Sequence, residues 1–65
     1  MENNIKQLRK AHQMTQETLS QIVRVSRQSI VAIESGKHQP SLELAYNIAK
    51  VFDRTIEEVF FESKR

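Results

Sequence analysis

The chain has no cysteine, no tryptophan, one glycine and one proline among its 65 residues. Without cysteine there is no disulfide staple and no thiolate metal site. His12 and His38 are the only histidines and sit in separate segments. No spacing typical of metal ligands occurs. The serines near a histidine share no nucleophile elbow. No catalytic constellation, metal site or cofactor site is therefore expected, and neither is an enzyme. No apolar run approaches the roughly 20 residues of a membrane-spanning helix. Met1-Glu2-Asn3-Asn4 lacks the charged-then-apolar layout of a signal peptide. Internal repeats and low-complexity segments are absent too. The expectation is a small soluble protein of the cytoplasm, a single domain over residues 1–65. A core of this size is marginal, so good packing or dimerisation must supplement it.

What the chain does have is helical spacing, interrupted by capping residues. Ile5, Leu8 and His12, with Ala11 beside them, predict a first helix from Asn3 or Asn4 to His12. Met14 is expected to pack under the loop that follows. Thr15 and Ser26 can each accept a hydrogen bond from a free N–H of a first helical turn, which predicts helices over Gln16–Val23 and Arg27–Ser35. Leu19 and Val23 share a face of the earlier helix, and Ile30 and Ile33 share a face of the later one. Gly36 supplies the helix end, since glycine accepts the left-handed conformation without steric cost. Pro40 biases Gln39 away from helix. Ser41 begins a fourth helix with a stripe of Leu44, Ala45, Ile48, Ala49 and Phe52, flanked by Leu42 and Val51. Thr55-Ile56-Glu57-Glu58 reads as a capping box for a fifth. Ile56, Val59 and Phe60 should be buried, and Phe61 is one apolar residue more than one face needs. A strand has a single candidate, residues 60–63 paired with the N-terminal residues. Ser63-Lys64-Arg65 should fray.

Two short helices on either side of the break at Arg24-Val25 have the layout of a helix-turn-helix, whose second helix enters the DNA major groove. Charge agrees with this. Residues 1–40 carry six Lys or Arg against three Glu, a net +3, while residues 41–65 carry four against five Asp or Glu, a net −1. The half with the candidate DNA helix is the basic half, as phosphate binding requires.

The run Thr15-Gln16-Glu17, then Leu19, Val25-Ser26-Arg27-Gln28-Ser29-Ile30, Ile33-Glu34-Ser35-Gly36-Lys37 and Pro40-Ser41-Leu42 resembles the Cro/phage-repressor (XRE) type of helix-turn-helix. The resemblance extends from about Ile5 to Phe60. It implies an all-α fold, a compact five-helix DNA-binding domain, possible short terminal β pairing, sequence-specific operator binding and a homodimer. Arg27 and Gln28 open the recognition helix and are the expected base readers. Arg suits the O6 and N7 of guanine, and Gln the N6 and N7 of adenine. Val31 and Ala32 continue that face, Ala32 as an apolar contact. Gln16 is the implied phosphate contact at the start of the second helix, where backbone donors and the helix dipole assist. Ser29, Ser35, Lys37 and His38 are further phosphate candidates. The resemblance also implies a salt bridge between Arg9 and Glu34 that fixes the tilt of the recognition helix.

Three features depart from the family pattern. Arg24 stands where the family favours glycine at positive φ, and Asp53 stands at another helix end where glycine is common. Ile22 is apolar where the family tends to be polar. The segment near residues 56–61 is the expected dimer element, with Ile56, Val59 and Phe61 at its interface. The expected function is a transcriptional regulator, a repressor binding double-stranded DNA as a homodimer. The alternatives are an antitoxin-type DNA-binding protein with an unknown protein partner, and an adaptor that has kept the fold and lost DNA.

Overall fold

The structure is a computed structural model and describes residues 1–62. In chain order it holds β1 (Glu2–Asn3), α1 (Ile5–Ala11), α2 (Gln16–Val23), α3 (Arg27–Glu34), α4 (Leu42–Val51), α5 (Ile56–Val59) and β2 (Phe60–Phe61). The expected fraying from Ser63 onward lies outside the described residues.

Hydroxyl side chains start four of the helices. Thr15, Ser26, Ser41 and Thr55 accept from the backbone N–H groups of Thr18, Ser29, Leu44 and Glu58 at 3.0–3.2 Å. Each bond satisfies one of the orphan donors of a first helical turn. At α5 the box is reciprocal, because the Thr55 N–H donates back to Glu58 Oε1 at 2.9 Å.

The ends of α1 to α4 share a second device. Gln13, Arg24, Gly36 and Asp53 have φ of 54°, 65°, 82° and 57°. The next N–H then reaches back five residues: Met14 to Arg9, Val25 to Ser20, Lys37 to Ala32 and Arg54 to Ala49, all at 2.8–3.0 Å. These are left-handed helix stops. Arg24 and Asp53 occupy the conformation that their place in the sequence implies. Gln13 does so without any composition signal. Met14 and Val25, each just past a left-handed residue, pack half-buried against the core.

The core takes Ile5 and Leu8 from α1, Leu19 and Val23 from α2, and Ile30 and Ile33 from α3. Ala45, Ile48 and Ala49 of α4, then Phe52, Val59 and Phe60, complete it. The small Ala45 and Ala49 let α4 pack against both α2 and α5. No described helix is long and apolar enough to cross a membrane.

Several sequence expectations are corrected in detail. α1 starts at Ile5, since Asn3 belongs to a strand, and it ends at Ala11. Ala11 and His12 are exposed; the His12 ring lies against Phe52 with centroids 5.3 Å apart. α3 ends at Glu34 with Ser35 as its cap. The fifth helix stops at Val59, short of residue 61, while Phe60-Phe61 form the expected terminal strand, antiparallel to β1, with Asn3 opposite Phe60 and Glu2 opposite Phe61. The period therefore changes from 3.6 to 2, so Phe60 turns inward and Phe61 outward. That is where the surplus apolar residue goes. Val59, expected at a dimer interface, has no exposed surface. It is the residue by which the single turn of α5 anchors to the core, so it cannot line an interface.

Candidate nucleic-acid interface

The orientation of α3 follows from which residues it buries. Ile30 and Ile33 are essentially fully buried. Arg27 and Gln28, at the first two positions, are exposed, and so is Val31. Ala32 and Ser29 are half-buried at the edges of the outer face. The expected readers thus lie on a solvated face backed by an apolar stripe, with the capped N-terminus of the helix beside Arg27. A helix N-terminus carries partial positive charge and favours anions. Ser29 Oγ lies 3.1 Å from Ser26 Oγ, and Ser35 Oγ donates to the Ala32 carbonyl at 3.0 Å. A phosphate oxygen only accepts, so with Ser26 as the donor of their shared bond the Ser29 O–H is free for it, whereas the Ser35 O–H must first leave the Ala32 carbonyl.

A polar network ties this helix to the two before it. The Arg9 guanidinium forks onto Glu34, with Nε donating to Oε2 and Nη2 donating to Oε1 at 3.2 Å. Both side chains are more than nine-tenths buried. Arg9 Nη1 also donates to the Met14 carbonyl at 3.0 Å. The fork joins α1 to the end of α3, and the third bond pins the loop between α1 and α2. Glu34 has one further partner: Gln16 Nε2 donates to its Oε1 at 3.2 Å. The Gln16 carboxamide is therefore held by the same carboxylate that receives Arg9, and its second N–H remains to be used.

Lys6, Gln16, Val31, Glu34 and Ser35 line one open groove of about 270 Å³. It brings together three residues expected to meet DNA: Gln16, Val31 and Ser35. Lys6 joins them from α1. Its place in this groove depends on how α1 sits beside α3, which sequence spacing does not give. Lys37 and His38 are exposed in the loop after Gly36. His38 borders a small hollow with Asn3, Ile33, Pro40 and Phe60, which Gln16 does not line.

The expected dimer residues do not form one patch. Ile56 is half-buried and lines an apolar cavity of about 290 Å³ with Met1, Gln39, Pro40, Leu42, Ala45 and Phe60. Leu42 at its rim is 76% exposed, the most of any large apolar residue described. Phe61 is exposed but does not line this cavity. Leu42 is the apolar surface residue that sequence reasoning placed only as a flank of the α4 stripe.

Residues 5–59 match the helix-turn-helix family HTH_3. An uncharacterized HTH-type transcriptional regulator of Methanocaldococcus jannaschii is 52% identical over 60 residues, covering 92% of this chain and 91% of that protein. The uncharacterized HTH-type transcriptional regulator YgzD of Bacillus subtilis is 44% identical over 61 residues, covering 94% and 92%. Among solved structures, the clp gene regulator ClgR of Corynebacterium glutamicum shares the fold with a TM-score of 0.76 at 20% identity. That match covers 83% of this chain and 57% of ClgR, so this chain spans a little over half of it. With a buried apolar stripe, an exposed polar face and hydroxyl caps on both sides of the turn, residues 5–59 belong to the XRE-type helix-turn-helix family of DNA-binding transcriptional regulators.

Proposed function

We propose that this chain is an operator-binding repressor that acts as a homodimer and reads base sequence through the exposed face of α3. The observation that carries the reading is the sidedness of that helix. Ile30 and Ile33 are buried, while Arg27 and Gln28 stand free at its capped N-terminal end. Phosphate contacts by Gln16, Ser29, Ser35, Lys37 and His38 would position the protein, and Arg27, Gln28, Val31 and Ala32 would read bases. Lys6 joins the phosphate set through the groove it shares with Gln16.

The dimer is supported by a knob beside a hole. Exposed Leu42 stands at the rim of the apolar cavity lined by Met1, Pro40 and Ile56. A two-fold axis through such a face lets each Leu42 enter the other protomer's cavity, because in an isologous contact residue i meets j while j meets i. The two recognition helices would then address half-sites about 34–36 Å apart.

The test is binding to a duplex selected from a random pool, measured against a panel of its single-base changes at several salt concentrations. Arg27→Ala should cost roughly 1–3 kcal/mol at one base pair and relax the preference there. Lys37→Ala should weaken binding to all sequences equally and shallow the salt slope by about one phosphate contact. If Arg27→Ala keeps the wild-type preference at every position, Arg27 is a phosphate clamp. If the wild-type chain shows no salt-dependent binding, the adaptor reading replaces the regulator.

A further inference from the structure

Asn3 of the N-terminal strand borders the small hollow beside Ile33, and the contacts of that strand are specific. Asn3 Nδ2 donates to the Ile33 carbonyl in the last turn of α3 at 2.9 Å. Its Oδ1 accepts from the Ile5 N–H at 3.1 Å, which opens α1. The strand is itself fastened to the other end of the chain. Asn3 pairs with Phe60 and Glu2 with Phe61. The Asn4 backbone N–H donates to the Val59 carbonyl, and Asn4 Nδ2 to the Glu58 carbonyl, both at 3.1 Å. A single half-buried carboxamide thus connects the paired terminal strands to the backbone of the recognition helix.

We infer that Asn3 is a positioning residue for base readout: the β1–β2 pair is a tether that holds the C-terminal end of α3. The inference rests on the reading that α3 meets bases. Its mechanical basis is the shortness of the helix. Eight residues span about 12 Å, and only Ile30 and Ile33 anchor α3 by packing. A rod this short pivots on that pair, so a shift at its C-terminal end moves Arg27 and Gln28 by a comparable distance. Hydrogen bonds to base edges weaken steeply over a few tenths of an ångström and tens of degrees, so loss of the tether should appear as lost discrimination. Glu34 and its partners hold α3 through side chains of α1 and α2; Asn3 holds it by the Ile33 carbonyl, and the one other side chain among the described residues that bonds its last carbonyls is Ser35, within the cap itself.

Three variants test this. Asn3→Asp keeps the acceptor for the Ile5 N–H but sets a carboxylate against the Ile33 carbonyl, at the negative end of the helix dipole. Asn3→Ala removes both bonds. Val51→Ala trims a half-buried core side chain of α4, outside the tether and the groove, and serves as a control for general loss of stability. Two readouts are taken: amide hydrogen exchange at Ser35, Gly36 and Lys37, and the ratio of affinities for the pool-selected duplex and its single-base changes. Both Asn3 variants should speed exchange at those amides, beyond the chain-wide change, by roughly three- to tenfold, the worth of one net hydrogen bond. They should lower discrimination by a similar factor with the salt slope unchanged, and Asn3→Asp should do so at least as strongly as Asn3→Ala. Val51→Ala should lower the melting temperature yet keep wild-type discrimination. Exchange at the α3 end no faster than in Val51→Ala, or discrimination kept in both Asn3 variants, would overturn the inference. A wild-type protein with no base preference would instead defeat the readout reading, and with it the role given to Asn3 in discrimination. The exchange data would then still decide whether Asn3 holds the helix.

Discussion

Four helix ends in this chain adopt the same left-handed stop, and one of the four uses glycine. That makes a reciprocal experiment possible. At Arg24, φ is 65°, the side chain is exposed, and its guanidinium takes part in no hydrogen bond or ion pair among the described residues. Left-handed backbone costs an L-residue about 1–2 kcal/mol. Glycine removes that cost but loses about 0.5–1 kcal/mol through the greater freedom of its unfolded chain. Arg24→Gly should therefore stabilise by about 0.5–1 kcal/mol, which in a domain of this size raises Tm by about 2–8 °C. Gly36→Ala should lower Tm by a similar amount. There is room for the methyl: an added Cβ would meet only the Met1 carbonyl oxygen, at an ordinary 3.6 Å. The loss at Gly36 would thus report backbone strain at φ 82° and not a clash. Thermal melts followed by circular dichroism, at one fixed protein concentration because the proposed dimer would couple to stability, give both signs. Urea titration with an unchanged m-value would show that the denatured state has not shifted. A lower Tm for Arg24→Gly at constant m would refute the reasoning and mean that the arginine side chain contributes more than the strain removes.

Other consequences can be checked in the same way. Asp53→Asn keeps a side chain that tolerates φ near 57° and removes a negative charge from the negative end of α4, so it should gain a few tenths of a kcal/mol at low salt and less at high salt. Leu42→Glu should shift sedimentation toward monomer by placing a charge at the mouth of the apolar cavity, whereas Phe61→Glu, which lies off that cavity, should leave the dimer in place; the reverse outcome would move the interface to the β2 side.

Much of the architecture was legible because local signals agree with one another. Every helix start that carries a hydroxyl in the sequence is capped by that hydroxyl in the structure, and the apolar periods select the same buried residues. The positive φ at Arg24 and Asp53 was legible only through resemblance, from where glycine would stand. Gln13 was not, since glutamine says nothing about left-handed backbone and the conformation is imposed by the turn between α1 and α2. The end of α5 was legible only as two alternatives, a helix running to residue 61 or a strand from residue 60, for a related reason. Val59-Phe60-Phe61 is a continuous apolar run, and a run of three cannot distinguish a helix edge from a strand. Pairing with Glu2-Asn3, more than fifty residues away in sequence, decides it. Lys6, Asn3 and Leu42 gained roles from tertiary proximity alone. The base-reading assignments remain proposals resting on exposure and family pattern.

The core leaves α3 under-determined, and this sets what its polar contacts must do. Two isoleucines can hold a helix in place, but they resist rotation about its own axis weakly, because the outer face must stay free. The Arg9–Glu34–Gln16 network supplies the missing constraint from buried charge. Stability and orientation should then separate under mutation. Glu34→Leu alone strands a buried guanidinium and should cost about 3–5 kcal/mol. Arg9→Met combined with Glu34→Leu removes both charges and restores apolar volume. It should recover most of that loss, ending within about 1–2 kcal/mol of wild type, because replacing a buried pair by packed hydrophobes is often near neutral. The Met14 carbonyl and the Gln16 carboxamide lose a partner each, and at Gln16 the open groove lets water replace it. DNA binding should not recover with stability. Without the carboxylate, Gln16 is free to turn and α3 free to roll, so the double variant should bind the selected duplex more weakly than its Tm implies and discriminate less among single-base changes. A double variant as stable as wild type and equally discriminating would show that packing alone orients the recognition helix and that the buried charges serve stability only.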